Sequence, residues 1–355
     1  MRPRIVISCG DVNGIGIECL VGALRSSPFP ADLELCIDAN TLSDVLREHQ
    51  LDATCEHRFE SEHKIDATCE RELSAASGSS ALVVEANGYQ VRVPLVPIGV
   101  TANVHPGMCA ADSGAVAITS LNTAVARVVS GEAHGILTLP ISKDACKKAG
   151  WPYPGHTEML AERAGGVPLM LLTHENVRVG LATTHIPLRY VAASLTTTRV
   201  EERIRAMHSA LTRDFGIAAP HIAVLGLNPH AGEEGLIGSE EQTIIGPTII
   251  AMRERGIDVL GPYPSDGFFA FGAYKTFDGI LAMYHDQGLI PLKLLAHGGG
   301  VNVTANLNIV RTSPDHGTAF DKAGRNVADS GSTVAALSLA IAIVGTRAKN
   351  PPANT

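Results

Sequence analysis

Short apolar runs, each closed by a polar or glycine-containing break, set the rhythm of this chain. The β-branched run at 4–8 predicts a first strand, and 33–38, 135–139, 169–173, 177–184, 221–227 and 280–283 predict further buried strands. Between them, apolar residues recur at helical spacing over 41–48, 113–129, 200–215 and 332–344. In 113–129, for instance, Val116, Leu121, Val125 and Val128 fall on one side. Residues 81–84 and 89–93 read as a hairpin turning at Asn87-Gly88, and 301–311 contains alternating apolar positions. Strands alternating with helices predict an α/β fold with parallel sheets covered on both faces.

The polar stretch 50–80 stands outside this rhythm. It carries one short echo, Asp52-Ala53-Thr54-Cys55-Glu56 and Asp66-Ala67-Thr68-Cys69-Glu70. A single repeat of five residues is no solenoid, so the stretch reads as a surface insertion.

Composition narrows the class. A chain of 355 residues predicts two domains. With 45% hydrophobic and 18% charged residues it is globular, and with 4% aromatics its core must be mainly aliphatic. A net charge of −8 argues against nucleic acid as a partner. The seven cysteines form no C-x-x-C pair, the usage of reduced thiols in a cytosolic protein. No charged n-region and apolar h-region open the chain, and the longest apolar run, near 334–344, is shorter than the ~20 residues of a membrane span. The expectation is a cytoplasmic protein with no membrane partner.

Candidate chemistry gathers at the ends of the apolar runs, where open α/β sheets place their ligands. The first run leads into Cys9-Gly10-Asp11-Val12-Asn13-Gly14-Ile15-Gly16, whose glycines suit either an anion-binding helix start or a plain strand-to-helix turn. It is not a G-x-G-x-x-G fingerprint. Three later runs end in His185, His230 and His285, the last followed by Asp286. Imidazole suits zinc and similar divalent metals, and three protein ligands with open positions describe a catalytic site. Their wide separation along the chain excludes a compact zinc finger. It fits either three loops converging on a metal or three unrelated turn histidines, with Asp286 as ligand or as a partner of one. His156, Thr157, Lys293, Asn302 and Arg311 are residue types suited to an anionic substrate.

Taken together, the segments GDVNGIGIE, YPGHTE, TTHIPLR, GLNPHAGE, MYHDQGLIPLK and RTSPDHGTA, in this order, resemble the 4-hydroxythreonine-4-phosphate dehydrogenase family of pyridoxal phosphate biosynthesis. The likeness runs from Gly10 to the closing helix. It implies two α/β/α domains with an interdomain cleft, an isocitrate/isopropylmalate dehydrogenase-like architecture, divided at 1–140 plus 300–355 (cofactor side) and 141–299 (metal ligands). It implies a homodimer with a shared active site and a divalent metal (zinc, magnesium or cobalt) on His185, His230 and His285, the last reaching across from the other subunit. It also implies substrate contacts from His156, Thr157, Lys293, Asn302 and Arg311, with His156 and Lys293 as candidates for the general base.

The implied reaction is NAD-dependent oxidation of 4-phosphohydroxy-L-threonine to a 2-amino-3-oxo acid phosphate, which decarboxylates to 3-amino-2-oxopropyl phosphate. His316-Gly317-Thr318-Ala319-Phe320-Asp321 resembles the adenosine loop of the wider dehydrogenase group, which implies cofactor contacts from His316, Gly317 and Asp321. In that group an aspartate at this position accompanies NAD rather than NADP; a helix-capping aspartate is the alternative. The chain departs from the family at Val12-Asn13 and at Ala305-Asn306-Leu307-Asn308. The second departure lies between two substrate candidates, which keeps threonate 4-phosphate open as the substrate. A metal-dependent hydrolase or aldolase, or an inactive metal-binding homologue, are the rivals from other classes.

Overall fold

Buried aliphatic runs become strands largely where the alternation places them. The computed structural model describes residues 2–57, 80–86 and 88–350, so most of the polar stretch and Asn87 of the hairpin turn lie outside it. The chain divides into two compact units. The first joins Met1–Ala133, Thr138–Pro152 and Gly317–Ser330; the second joins His134–Leu137, Tyr153–His316 and Gly331–Thr355.

In the first unit, β1 (Arg4–Ser8), β2 (Asp32–Cys36), β3 (Thr54–Glu56), β4 (Ala81–Ala86) and β5 (Tyr89–Val96) lie in the order β1-β2-β5-β4-β3. The β1–β2 and β2–β5 pairs are parallel, and the rest antiparallel. Helices α1 (Gly16–Ser26), α2 (Ala39–Glu48), α3 (Ala111–Val129) and α4 (Lys143–Lys148) complete it around a core that includes Ile5, Ile7, Leu35, Leu82 and Leu121. Helix α4 sits with this unit because α3 approaches it closely: a Cβ on Gly114 would run into the Ala145 carbonyl oxygen.

The second unit holds β6 (Gly135–Thr138), β7 (Gly166–His174), β8 (Val177–Leu181), β9 (Ile222–Leu225), β10 (Val259–Tyr263), β11 (Gly279–Ala282), β12 (Val301–Leu307) and β13 (Val310–Pro314). Their order is β10-β9-β11-β8-β7-β12-β13-β6. Its helices are α5 (His156–Ala164), α6 (Val191–Ser194), α7 (Thr197–Arg213), α8 (Gly246–Glu254), α9 (Ser265–Ala270), α10 (His285–Ala296) and α11 (Gly331–Lys349). Leu172, Val179, Leu181, Ala223, Leu225, Ile280 and Ala282 form its core, against which Tyr263, Phe269, Tyr274 and Phe277 pack.

Two expectations change here. The sheets are mixed rather than parallel, because β7–β8 and β12–β13 are joined by connections too short for a crossover and must pair as hairpins. The strands after residue 300 and the closing helix lie in the second unit rather than the first. The reason is pairing: β12 adds to β7, with Val301 opposite Thr173, and α11 packs on β13, where the Thr312 hydroxyl donates to the Ala336 carbonyl at 2.8 Å. Helix α11 is also long and apolar enough to cross a membrane by length and composition alone. Its buried face of Thr333, Ala336, Leu337, Ala340 and Ile343 is that of a core helix.

Candidate functional site

Four neighbouring parallel strands, β10-β9-β11-β8, deliver their carboxyl ends to one edge of the second unit. His185 follows β8, His230 follows β9, His285 follows β11, and Asp266 follows β10. Pairing continues past β8 and β11: Ala182 N donates to Ala282 O at 2.8 Å, and Thr183 N and Oγ1 both donate to Met283 O. That extension brings the rings of His185 and His285 side by side, centroids 5.5 Å apart. His285 opens α10, and its Nδ1–H donates to Asp286 Oδ1 at 2.7 Å, which leaves the Nε2 lone pair for a ligand.

Gln287 ties the strand ends together. Its Oε1 accepts from Met283 N at 2.7 Å, and its Nε2 donates to Gly226 O at 2.5 Å and Ser265 Oγ at 2.7 Å. One side chain thus joins the ends of β11 and β9 to the start of α9. Below it lies a cavity of about 540 Å³ lined by His230, Asp266, Tyr284, Asp286 and Gln287 among others. Neither Asp266 nor Gln287 was a candidate in the sequence. Gln287 stands inside the YHDQG segment, but nothing in the spacing marks Asp266.

His230 sits in an unusual backbone. His230, Ala231, Gly232, Glu233 and Glu234 all have positive φ, from 43° to 80°. Four of them carry a Cβ, and left-handed geometry costs such residues roughly 1–2 kcal/mol each. Runs of this kind persist where the surroundings hold them, typically at functional sites. His230 itself is exposed.

Among the described residues, no group of three or more His, Cys, Asp or Glu side chains is arranged to hold a metal ion. The donor chemistry of His185, His230 and His285 suits a divalent metal, but one chain does not gather the three.

The anion candidates behave differently. Arg311, on β13, is 4% exposed, and burial pushes its guanidinium down to about 10. It donates to Thr304 Oγ1 at 2.9 Å and Asn302 Oδ1 at 3.4 Å on β12, and to His156 Nδ1 at 3.4 Å at the start of α5. Arg311, Asn302 and His156 are therefore one cluster; Thr157 is the next residue of α5. Lys293, on α10, pairs with Asp315 at 3.2 Å, just past β13. The divergent 305–308 stretch lies at the β12–β13 hairpin end, where Arg213 and Arg347 both donate to Leu307 O.

Of the cofactor candidates, His316 closes the β13 segment in the second unit, whereas Gly317 and Asp321 belong to the first. There the 317–324 loop packs on the first strand-to-helix turn: Ile15 N donates to Thr318 O at 3.0 Å, and a Cβ on Gly14 would lie 2.9 Å from that same oxygen. Asp321 is exposed on this loop. Within the turn, Asp11 is buried and its carboxyl is raised by desolvation.

The profile of the pyridoxal phosphate biosynthetic protein PdxA family matches residues 36–340. The chain belongs to this family. It is 45% identical to 4-hydroxythreonine-4-phosphate dehydrogenase of Azoarcus sp. (strain BH72), covering 98% of each chain. It is 40% identical to the enzyme of the same name from Bacteroides thetaiotaomicron, over 99% of this chain and 92% of that one. The crystal structure of 4-hydroxythreonine-4-phosphate dehydrogenase from Klebsiella pneumoniae superposes with a TM-score of 0.75 at 34% identity, covering 97% of this chain and 98% of that one.

Proposed function

We propose that this chain is an NAD-dependent, divalent-metal-dependent dehydrogenase that oxidises 4-phosphohydroxy-L-threonine, the product losing carbon dioxide to give 3-amino-2-oxopropyl phosphate for pyridoxal phosphate synthesis. The observation that carries this reading is the buried Arg311–Asn302–His156 cluster in a chain whose relatives are named for that activity. The planar fork of a guanidinium matches carboxylate or phosphate. Lys293 adds a second cation from α10, held by Asp315. Thr157 contributes a hydroxyl from α5. His156 and Lys293 are the candidates to take the proton from the substrate hydroxyl.

His185, His230 and His285 would hold the metal, zinc, magnesium or cobalt, with Asp286 orienting His285. Such an ion, when bound, supplies charge stabilisation to an oxygen that becomes negative during oxidation and decarboxylation. His316, Gly317 and Asp321 would contact NAD, Asp321 accepting from the ribose hydroxyls and repelling a 2′-phosphate.

The site is read as shared between two copies in a homodimer. What supports this is the surface beside the histidines. Leu188 and Tyr190 follow His185, Leu236 and Ile237 follow His230, and Ile290 and Leu294 lie on α10 after His285; all are exposed. Large exposed apolar side chains grouped on functional segments mark an interaction surface. The reading is of a cytoplasmic enzyme with neither nucleic acid nor membrane as a partner.

The test is to incubate purified protein with NAD, a divalent metal and 4-phosphohydroxy-L-threonine, with threonate 4-phosphate beside it, and to follow reduced cofactor. Reduction with the first substrate at higher kcat/KM supports the proposal. Preference for the second would transfer the activity to threonate 4-phosphate, and no reduction with either would favour a hydrolase, an aldolase or an inactive homologue.

A further inference from the structure

Glu241 is a carboxylate at 4% exposure, set beneath the segment that carries His230. It opens a single π-helical turn, Glu241–Ile245, that leads into α8, and such turns recur at functional sites. Its Oε1 accepts from Leu227 N and from Asn228 N, both at 2.7 Å. Its Oε2 accepts from the Asn228 side-chain amide at 2.9 Å, and that amide also donates to Glu240 Oε2 at 2.8 Å. These contacts fix the two residues just before Pro229, which has no N–H to offer, and His230.

The surrounding glycines show how closely this carboxylate is fitted. A Cβ at Gly226 would lie 3.1 Å from Glu241 Oε1, and one at Gly232 2.7 Å from Oε2. Gly232 also has φ +80°, inside the left-handed run. The carboxylate therefore takes up the space left on both sides of His230. The contrast with the other histidines explains why it is there. His185 and His285 are aligned by the continued pairing of β8 and β11. The His230 segment turns left-handed directly after Pro229, so side-chain hydrogen bonds take the place of that pairing.

We propose that Glu241 is a positioning residue: its carboxylate holds the left-handed turn that presents His230, and so sets metal affinity without touching the metal. The proposal rests on the reading of His230 as a ligand. Glu241→Gln keeps the size but sets an amide N–H₂ against the Asn228 amide, two donors face to face. Glu241→Asp keeps both oxygens one methylene further back.

Wild type, both variants and His230→Ala are compared as purified full chains, with thermal melts confirming that each is folded. Two readouts need no turnover: hydrogen exchange of the metal-free protein over 227–238, and titration with Zn²⁺ or Co²⁺ alone. Glu241→Gln is expected to exchange faster over 227–238 with β8 and β11 unchanged, and to bind metal about 10- to 100-fold more weakly. In turnover it is expected to lower kcat and leave KM for NAD unchanged. Glu241→Asp is expected to recover part of the loss, and it carries the test if Glu241→Gln does not fold. Unchanged exchange over 227–238 overturns the proposal. So does wild-type metal affinity in Glu241→Gln while His230→Ala loses metal, which would leave Glu241 a cap on the fold alone. Wild-type affinity in His230→Ala would remove the ligand reading itself, and the proposal with it.

Discussion

The cluster around Arg311 and the three histidines lie in the same unit, yet they are finished to different degrees. Arg311 is buried, and its partners Asn302, Thr304 and His156 come from β12 and α5 of its own chain. The histidines stand at the ends of three adjacent strands, two of them exposed, with no three-donor arrangement among the described residues. Beside the first, side chains are locked; beside the second, large apolar residues face outward. On our reading the difference separates two functions: anion recognition is built into the monomer, and metal binding waits for a second copy.

Removing a histidine tests the unfinished half and should have the largest effect. His230→Ala is expected to lose its metal on dialysis, with His185→Ala and His285→Ala sharply weakened. Metal content is the measurement, and full occupancy in His185→Ala would remove that residue from the ligand set.

Removing the arginine tests the finished half. Arg311→Met removes the cation from the cluster, and the KM for the phosphorylated substrate should climb about 10- to 100-fold. A fall in stability with unchanged KM would make Arg311 a structural residue. The smallest effect belongs to the exposed loop of the other unit. Asp321→Ala should narrow the preference for NAD over NADP by roughly tenfold, since one carboxylate contact is worth about 1.4 kcal/mol at such a site. An unchanged ratio of efficiencies would exclude Asp321 from cofactor recognition.

The sequence made the finished parts of the fold easier to read than the site's geometry. The strands at 4–8 and 280–283 were legible because their apolar runs are short and sharply bounded. The element at 259–263 was not, because Gly261 and Pro262 interrupt it and local pattern gives no sign that it pairs with β9. Helix α11 was legible, but not which unit it joins, since that depends on β13 pairing with β6 across a long separation. Among site residues, the histidines could be found because each follows an apolar run. That Arg311 reaches Asn302 follows from the hairpin register, with Asn302 opposite Ser313 and Val303 opposite Thr312. The left-handed turn at His230 has no simple sequence signal: Ala231, Glu233 and Glu234 are not residues that favour positive φ.

The shared site is tested most directly by complementation. His285→Ala and His230→Ala are each inactive on this reading, and they are mixed under conditions in which heterodimers are shown to form. If His285 serves the other copy's site, one of the two sites in the heterodimer keeps all three ligands while the other lacks two. Activity should then return, approaching half of the wild-type value per heterodimer. Heterodimers that form and remain inactive would contradict the shared site and assign all three histidines to one chain.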